Sequence, residues 1–227
     1  MQQQVVGKRV NAMFGSIAGR YDLTNTVLSA GIDRLWRWQL VHTLPADRSK
    51  TVLDLCTGTG ALLPSLQRRF GTVIGADFCW PMLLKGKTEL GRGPLMQADA
   101  LQLPYADASF DIVTVAFGVR NFERLSDGLQ EIRRVLKPGG TLLVLEFGQP
   151  RGALFGALFR FYSRWCMPVI GGIVTGNRAA YEYLPATSSQ FPCREAFVEI
   201  LSRAGFSAPS WKGLTFGIAY IYQCTRG

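Results

Sequence analysis

The residues with the clearest chemical potential lie in Leu53-Asp54-Leu55-Cys56-Thr57-Gly58-Thr59-Gly60, an apolar strand-like run that enters a glycine turn and then a helix. Glycines at such a turn let backbone approach a ligand closely and let a helix N-terminus face it. Asp77 follows about 20 residues later at the end of a second apolar run, where a carboxylate can accept both hydroxyls of a ribose. Asp99, in Gln97-Ala98-Asp99-Ala100, stands after a third run, where an acidic side chain can accept from an adenine amino group. A dinucleotide fold would place a third small residue three positions after Gly60, and this chain has Leu63. The spacing therefore favours an adenosine ligand without a pyrophosphate.

The elements that must carry these residues are legible from about residue 50 onward. Strand-like runs at Thr51–Leu55, Thr72–Ala76, Pro94–Gln97, Asp111–Ala116 and Thr141–Glu146 alternate with helix-like segments near Leu62–Arg69, Pro81–Leu90 and Ser126–Val135. That alternation predicts a parallel sheet covered by helices on both faces. Lys137-Pro138-Gly139-Gly140 stops the third helix. A last helix is expected at Arg194–Ala204, closed by Gly205, with one or two strands across Trp211–Gln223. Two segments lie outside the alternation, Arg9–Leu44 and Arg151–Pro192, and insertions of this kind usually carry specificity.

A chain of 227 residues is expected to form one domain over 1–227. Lys and Arg exceed Asp and Glu by 25 to 16, a formal charge of +9 that attracts anionic partners without choosing among them. The five cysteines are scattered and lack a C-x-x-C pair, so neither a disulfide framework nor a metal site is expected, and a reducing cytoplasm fits. The N-terminus lacks an apolar signal core and no apolar run approaches the ~20 residues of a spanning helix. The expected protein is neither exported nor integral to a membrane.

From Phe14 to Ile218 the chain resembles the ubiquinone/menaquinone biosynthesis C-methyltransferases. The resemblance rests on Tyr21-Asp22-Leu23-Thr24-Asn25 running through Ser29-x-Gly31 to Trp36-Arg37, and on Arg134-Val135-Leu136-Lys137-Pro138-Gly139-Gly140 running to Leu145-Glu146-Phe147. Asp99-Ala100-x-x-Leu103-Pro104, Ser109-Phe110-Asp111, Phe117-Gly118-Val119-Arg120-Asn121 and Tyr181-x-Tyr183-Leu184-Pro185 with Phe191-Pro192 are similar to further family blocks. Asp33, Ala61 and Thr187 depart from the family pattern.

The resemblance implies a Rossmann-like class I methyltransferase, α/β, with a seven-stranded, mostly parallel sheet and an antiparallel C-terminal strand. It implies S-adenosylmethionine as cosubstrate, held by Asp54, Gly58, Thr59, Gly60, Asp77, Phe78, Asp99 and Ala100. It implies methyl transfer to a ring carbon of a polyprenyl naphthoquinol, demethylmenaquinol becoming menaquinol, or to the equivalent carbon of a benzoquinol. Residues 1–48 are then a helical lid, and 151–192 an insertion facing substrate and membrane.

Ring carbon is a poor nucleophile until a neighbouring hydroxyl loses its proton, so the substrate must be the reduced quinol. A phenolic hydroxyl titrates near ~10, and general-base assistance is commonly worth about 10²–10⁴-fold. Arg120, Asn121 and Tyr21 are the expected polar catalytic contacts, with Asp22, Asn25, Phe117 and Tyr183 as further substrate contacts. A water acting as proton acceptor is compatible with this set. His42, the single histidine, reads as the end of an amphipathic helix, in a packing or capping role. Pro192-Cys193 resembles the nucleophile dipeptide of cytosine C5 methyltransferases but falls far beyond the fifth strand, so it reads as a turn.

A long-tailed quinol lives in the bilayer, so the expected partners are that quinol and, transiently, a membrane surface, with no nucleic acid; a homodimer is compatible with the sequence. Leu154, Phe155, Leu158, Phe159, Phe161, Tyr162 and Trp165 form an apolar stripe at helical spacing, with Arg160 and Arg164 opposite most of it. Such a helix either lines a tunnel for the isoprenoid tail or lies in the headgroup plane, and the expected location is cytoplasmic and peripheral to the membrane.

Overall fold

A computed structural model describes residues 11–90 and 94–227. The first ten residues of the expected lid lie outside the described residues. Residues 11–17 are helical (α1) and a 3₁₀ turn follows at Ala18–Arg20. Then come α2 (Tyr21–Leu28) and α3 (Ile32–Val41), separated by Gly31 at φ +80°, a conformation glycine adopts without strain.

The sheet begins with β1 (Asp47–Leu55) and proceeds through α4 (Leu63–Arg69), β2 (Phe70–Asp77), α5 (Trp80–Leu90), β3 (Leu95–Gln97) and β4 (Phe110–Ala116). It continues with α6 (Leu125–Val135) and β5 (Leu136–Phe147). After three further helices, α10 (Glu195–Arg203), β6 (Phe206–Leu214) and β7 (Ala219–Arg226) close the fold. The strand order is β3-β2-β1-β4-β5-β7-β6, with β7 antiparallel to both neighbours. The expected seven-stranded sheet is therefore present, and its C-terminal part holds two full strands.

The alternation of side chains along each strand builds one core on each face. Leu53 and Leu55, Val113 and Val115, and Leu142 and Val144 point to α6 and α10, against Leu129, Ile132, Phe197 and Leu201. Val52, Ile112, Leu143 and Leu145 point to α3 and α4, against Trp36, Leu40, Leu63 and Leu66. Each fully buried leucine or isoleucine contributes about 1.5–3 kcal/mol, which fixes the register because a one-residue slip would exchange the faces.

One expectation changes. Lys137-Pro138-Gly139-Gly140 does end α6 at Val135, but it lies inside β5 and not in a loop. Phe110 pairs with Leu136 and Ile112 with Thr141, so the four breaker residues are taken up as a bulge at the start of β5.

Between β5 and α10 the chain forms α7 (Ala153–Phe161), a π turn (Tyr162–Cys166), α8 (Met167–Thr175) and α9 (Arg178–Gln190). Asn177 caps α9 by accepting from Ala180 N–H at 3.2 Å. A Cβ at Gly171 of α8 would fall 2.2 Å from the Tyr181 ring, so glycine there lets α8 and α9 close on each other. These helices pack against α1 and α2 around Ile17, Leu28, Ala180 and Tyr181. Among the described residues no helix is long and apolar enough to cross a membrane.

Candidate active site

The chain leaves β1 through Cys56 at φ +56°, then turns through Gly58 and Gly60 at φ +60° and +81°. A left-handed cysteine costs of order 1 kcal/mol or more, strain of the kind that concentrates at ligand sites. Asp77, at the end of β2, holds this turn from the side: its Oδ2 accepts from Gly58 N–H at 2.8 Å and its Oδ1 from Cys79 N–H at 2.7 Å. A carboxylate has about four acceptor positions, so these backbone donors do not exhaust it. Burial pushes the Asp77 carboxyl up, against the pull of those N–H donors.

Asp54 lies beneath the turn, fully buried. It accepts from the Thr57 and Thr114 hydroxyls, both at 2.6 Å, and thereby clamps the turn to β4, where Thr114 is its register partner. Burial pushes its carboxyl up to about 6.

Above the turn is a cavity of about 410 Å³. Of the residues expected to hold the cosubstrate, Gly58, Thr59, Asp77, Phe78, Asp99 and Ala100 line this cavity. Asp54 and Gly60 do not; the first braces the floor and the second turns the chain. The Asp99 carboxylate accepts from Leu101 N–H at 2.9 Å.

A second, strongly apolar cavity of about 530 Å³ lies under α1–α3, α7 and α9. Phe14, Tyr21, Arg37 and Phe117 line both cavities, so the two meet at these side chains. Asn25, Arg120 and Tyr183 line the apolar cavity, and Asn121 the cofactor-side one. Tyr183 OH donates to Asn121 Oδ1 at 3.0 Å, joining α9 to the loop after β4. Asp22, grouped by sequence with the substrate contacts, instead faces the cofactor-side cavity, where its Oδ2 accepts from the Thr59 hydroxyl at 2.7 Å.

Arg120 is not a surface ion pair. Its Nη1 meets Glu146 Oε1 at 2.6 Å, with the two side chains 3% and 0% exposed, and also donates to Phe117 C=O at 2.6 Å. Its Nε is buried without a hydrogen-bond partner among the described residues. Sequence reasoning quoted Glu146 only as part of a motif and gave it no role. It likewise gave none to Arg37, whose Nε is 3.7 Å from Asp33 Oδ2 and whose guanidinium sits 5.3 Å from the centre of the Phe117 ring. Burial raises the Tyr21 phenol above its ordinary value, countered by the Arg37 and Arg120 charges, so it stays a neutral donor near neutral pH.

His42 stacks on Trp38 at 4.3 Å, its Nδ1 2.8 Å from Trp38 C=O, and lines neither cavity. Cys193 is buried against Gln149, with Sγ 2.7 Å from Oε1, and lines neither cavity.

The model of the ubiE/COQ5 methyltransferase family matches residues 2–226. The ubiquinone/menaquinone biosynthesis C-methyltransferase of Bdellovibrio bacteriovorus is 46% identical over 224 residues, 95% of each chain. The demethylmenaquinone methyltransferase of Deinococcus radiodurans is 45% identical over 226 residues, 97% of this chain and 93% of its own. Among solved structures, a SAM-dependent methyltransferase from Thermotoga maritima superposes with a TM-score of 0.69 at 17% identity, over 95% of this chain and 99% of its own. At that identity the likeness speaks for the class I methyltransferase fold.

Proposed function

Since the chain belongs to the ubiE/COQ5 methyltransferase family, we propose that it methylates the ring carbon of a reduced polyprenyl naphthoquinol, using S-adenosylmethionine, in isoprenoid quinone biosynthesis. The observation that carries this reading is the junction at Tyr21, Arg37 and Phe117, where an apolar cavity opens onto one lined by acids and a glycine turn. One chamber suits a prenylated ring and the other an adenosyl group.

The residues of the polar chamber fit S-adenosylmethionine. Asp77 has acceptor positions left for ribose hydroxyls, Asp99 for an amino group, and the Gly58 turn has no side chain to obstruct the ligand. The cosubstrate, when bound, supplies an electrophilic methyl group on a sulfonium.

In the apolar chamber, Arg120 Nε and the neutral Tyr21 hydroxyl are the donors for a quinol oxygen, stabilising negative charge as its proton leaves. Glu146 holds Arg120 in place. Asn121, oriented by Tyr183, holds the ring or a water that takes the proton. The helices α1–α3 act as the lid that excludes water. The printed names of the relatives favour a naphthoquinol; a benzoquinol ring has the same requirement for a reduced hydroxyl.

The second cavity also supports a bilayer contact. Leu158 belongs to its wall yet is mostly exposed, and Leu154, Phe161, Trp165, Val169 and Ile173 extend the same exposed apolar surface beside Arg160 and Arg164. The tail enters from this side, and the basic residues favour anionic headgroups.

The test is the purified protein with vesicles carrying reduced demethylated naphthoquinol and methyl-labelled S-adenosylmethionine. Label in the lipid fraction, absent when the quinone is kept oxidised, supports the assignment. No transfer to either a naphthoquinol or a benzoquinol removes it.

A further inference from the structure

Arg37 occupies an unusual electrostatic position. Among the described residues lining the cofactor-side cavity, Asp22, Asp77, Asp99 and Glu123 are acidic, and Arg37 is the one lysine or arginine. The cavity therefore offers carboxylates at several points and a cation at a single point. That point lies at the junction with the apolar chamber, which Tyr21 and Phe117 also line and Asp99 does not.

The guanidinium is also incompletely used by the protein. Its nearest carboxylate, Asp33, stands at 3.7 Å, beyond hydrogen-bond range, and Asp33 Oδ1 is already engaged by the Ser29 hydroxyl at 2.8 Å. Arg37 Nε is buried without a hydrogen-bond partner among the described residues, and a donor left so in a folded interior forfeits its hydration unless a ligand restores it. The Phe117 ring fixes the plane of the group from one side. An oriented guanidinium whose buried Nε lacks a partner is suited to a planar anion that can take two parallel hydrogen bonds.

We propose that Arg37 is the binding site for the α-carboxylate of the amino-acid end of the adenosyl ligand, anchoring S-adenosylmethionine and its demethylated product where the two cavities meet. The inference rests on the cosubstrate reading above and adds a subsite to it. The acids of the same cavity then serve the positive charges of the ligand, and its single negative charge goes to the single lining cation.

Calorimetry of the full chain with two product-like ligands separates the outcomes. S-adenosylhomocysteine carries the carboxylate; 5′-methylthioadenosine has the same nucleoside and thioether but no amino-acid end. Arg37→Gln is expected to weaken S-adenosylhomocysteine by about 10- to 100-fold, the loss of a charge-assisted pair, and to leave 5′-methylthioadenosine within twofold. Arg37→Lys, which keeps the charge and loses the fork, is expected to fall between and serves if the first variant does not fold. Equal weakening of both ligands, or of neither, overturns the proposal, as does a change confined to the quinol KM. If the wild type binds neither ligand, the cosubstrate reading itself fails, an outcome distinct from a wild type that binds both and an Arg37 variant that does not discriminate.

Discussion

The Thr59 hydroxyl, in the glycine turn, donates to Asp22 Oδ2 at 2.7 Å, so the first turn of α2 is tied directly to the loop that lines the polar cavity. The N-terminal helices and the glycine turn share this hydrogen bond, and loosening either end should be felt at the other.

Asp22→Asn and Thr59→Val are each expected to weaken S-adenosylhomocysteine binding several-fold. The double variant should cost less than the sum, with a coupling of about 0.5–3 kcal/mol in a calorimetric cycle. Strict additivity would show that the contact does not transmit.

Glu146→Gln should lower stability by about 3–5 kcal/mol in chemical denaturation, because it leaves the Arg120 charge buried without its partner. Arg120→Ala should lower kcat by at least about 10²-fold while S-adenosylhomocysteine affinity changes little, since Arg120 lines the apolar cavity alone. Turnover retained in a folded Arg120→Ala protein would exclude it from the chemistry.

Asp54 gives a pH signature. Its folded carboxyl is pushed up to about 6 from an ordinary 3.8, so the native state binds the extra proton. Its contribution is therefore fully present below about pH 4 and is lost as pH rises toward 6, by up to roughly 3 kcal/mol. Asp54→Asn removes this titration, so wild-type stability relative to the variant should fall across pH 4–6 and be flat above. A difference curve without that slope would contradict the assignment.

Gly118 faces Cys56 so closely that a Cβ would lie 2.4 Å from the cysteine Cβ. Gly118→Ala should cost about 1–3 kcal/mol by overpacking. Cys56→Gly removes the obstructing atoms and also relieves the left-handed φ at that position, so the double variant should recover most of the loss in thermal melts.

For the membrane reading, Leu154 and Ile173, 87% and 78% exposed, can be replaced by Ser together without opening the core. The double variant should co-sediment less with anionic vesicles than the wild type and raise the KM for vesicle-borne quinol, at unchanged melting temperature. Equal sedimentation of wild type and variant would place the contact elsewhere.

The sheet is legible because its central strands β1, β4 and β5 are buried on both faces along much of their length and therefore appear as compact apolar runs beside helices of different period. The bulge at Lys137–Gly140 is not, since glycine and proline report that regular structure is interrupted without saying whether the chain stays in register afterward. The placement of the glycine turn, Asp77 and Asp99 around one cavity is legible because each stands at a strand end at a countable spacing. Arg37 and Glu146 escaped for a different reason. Their meaning depends on contacts with Phe117 and Arg120, 80 and 26 residues away along the chain, and local pattern cannot express which residues meet across a cavity. The side of α2 that Asp22 presents is hidden for the same reason: Tyr21 lines both cavities, Asp22 the polar one and Asn25 the apolar one.

Phe14 and Tyr21 wall both chambers and belong to the same N-terminal run of helices. A single substitution at either position therefore alters the walls of two compartments together.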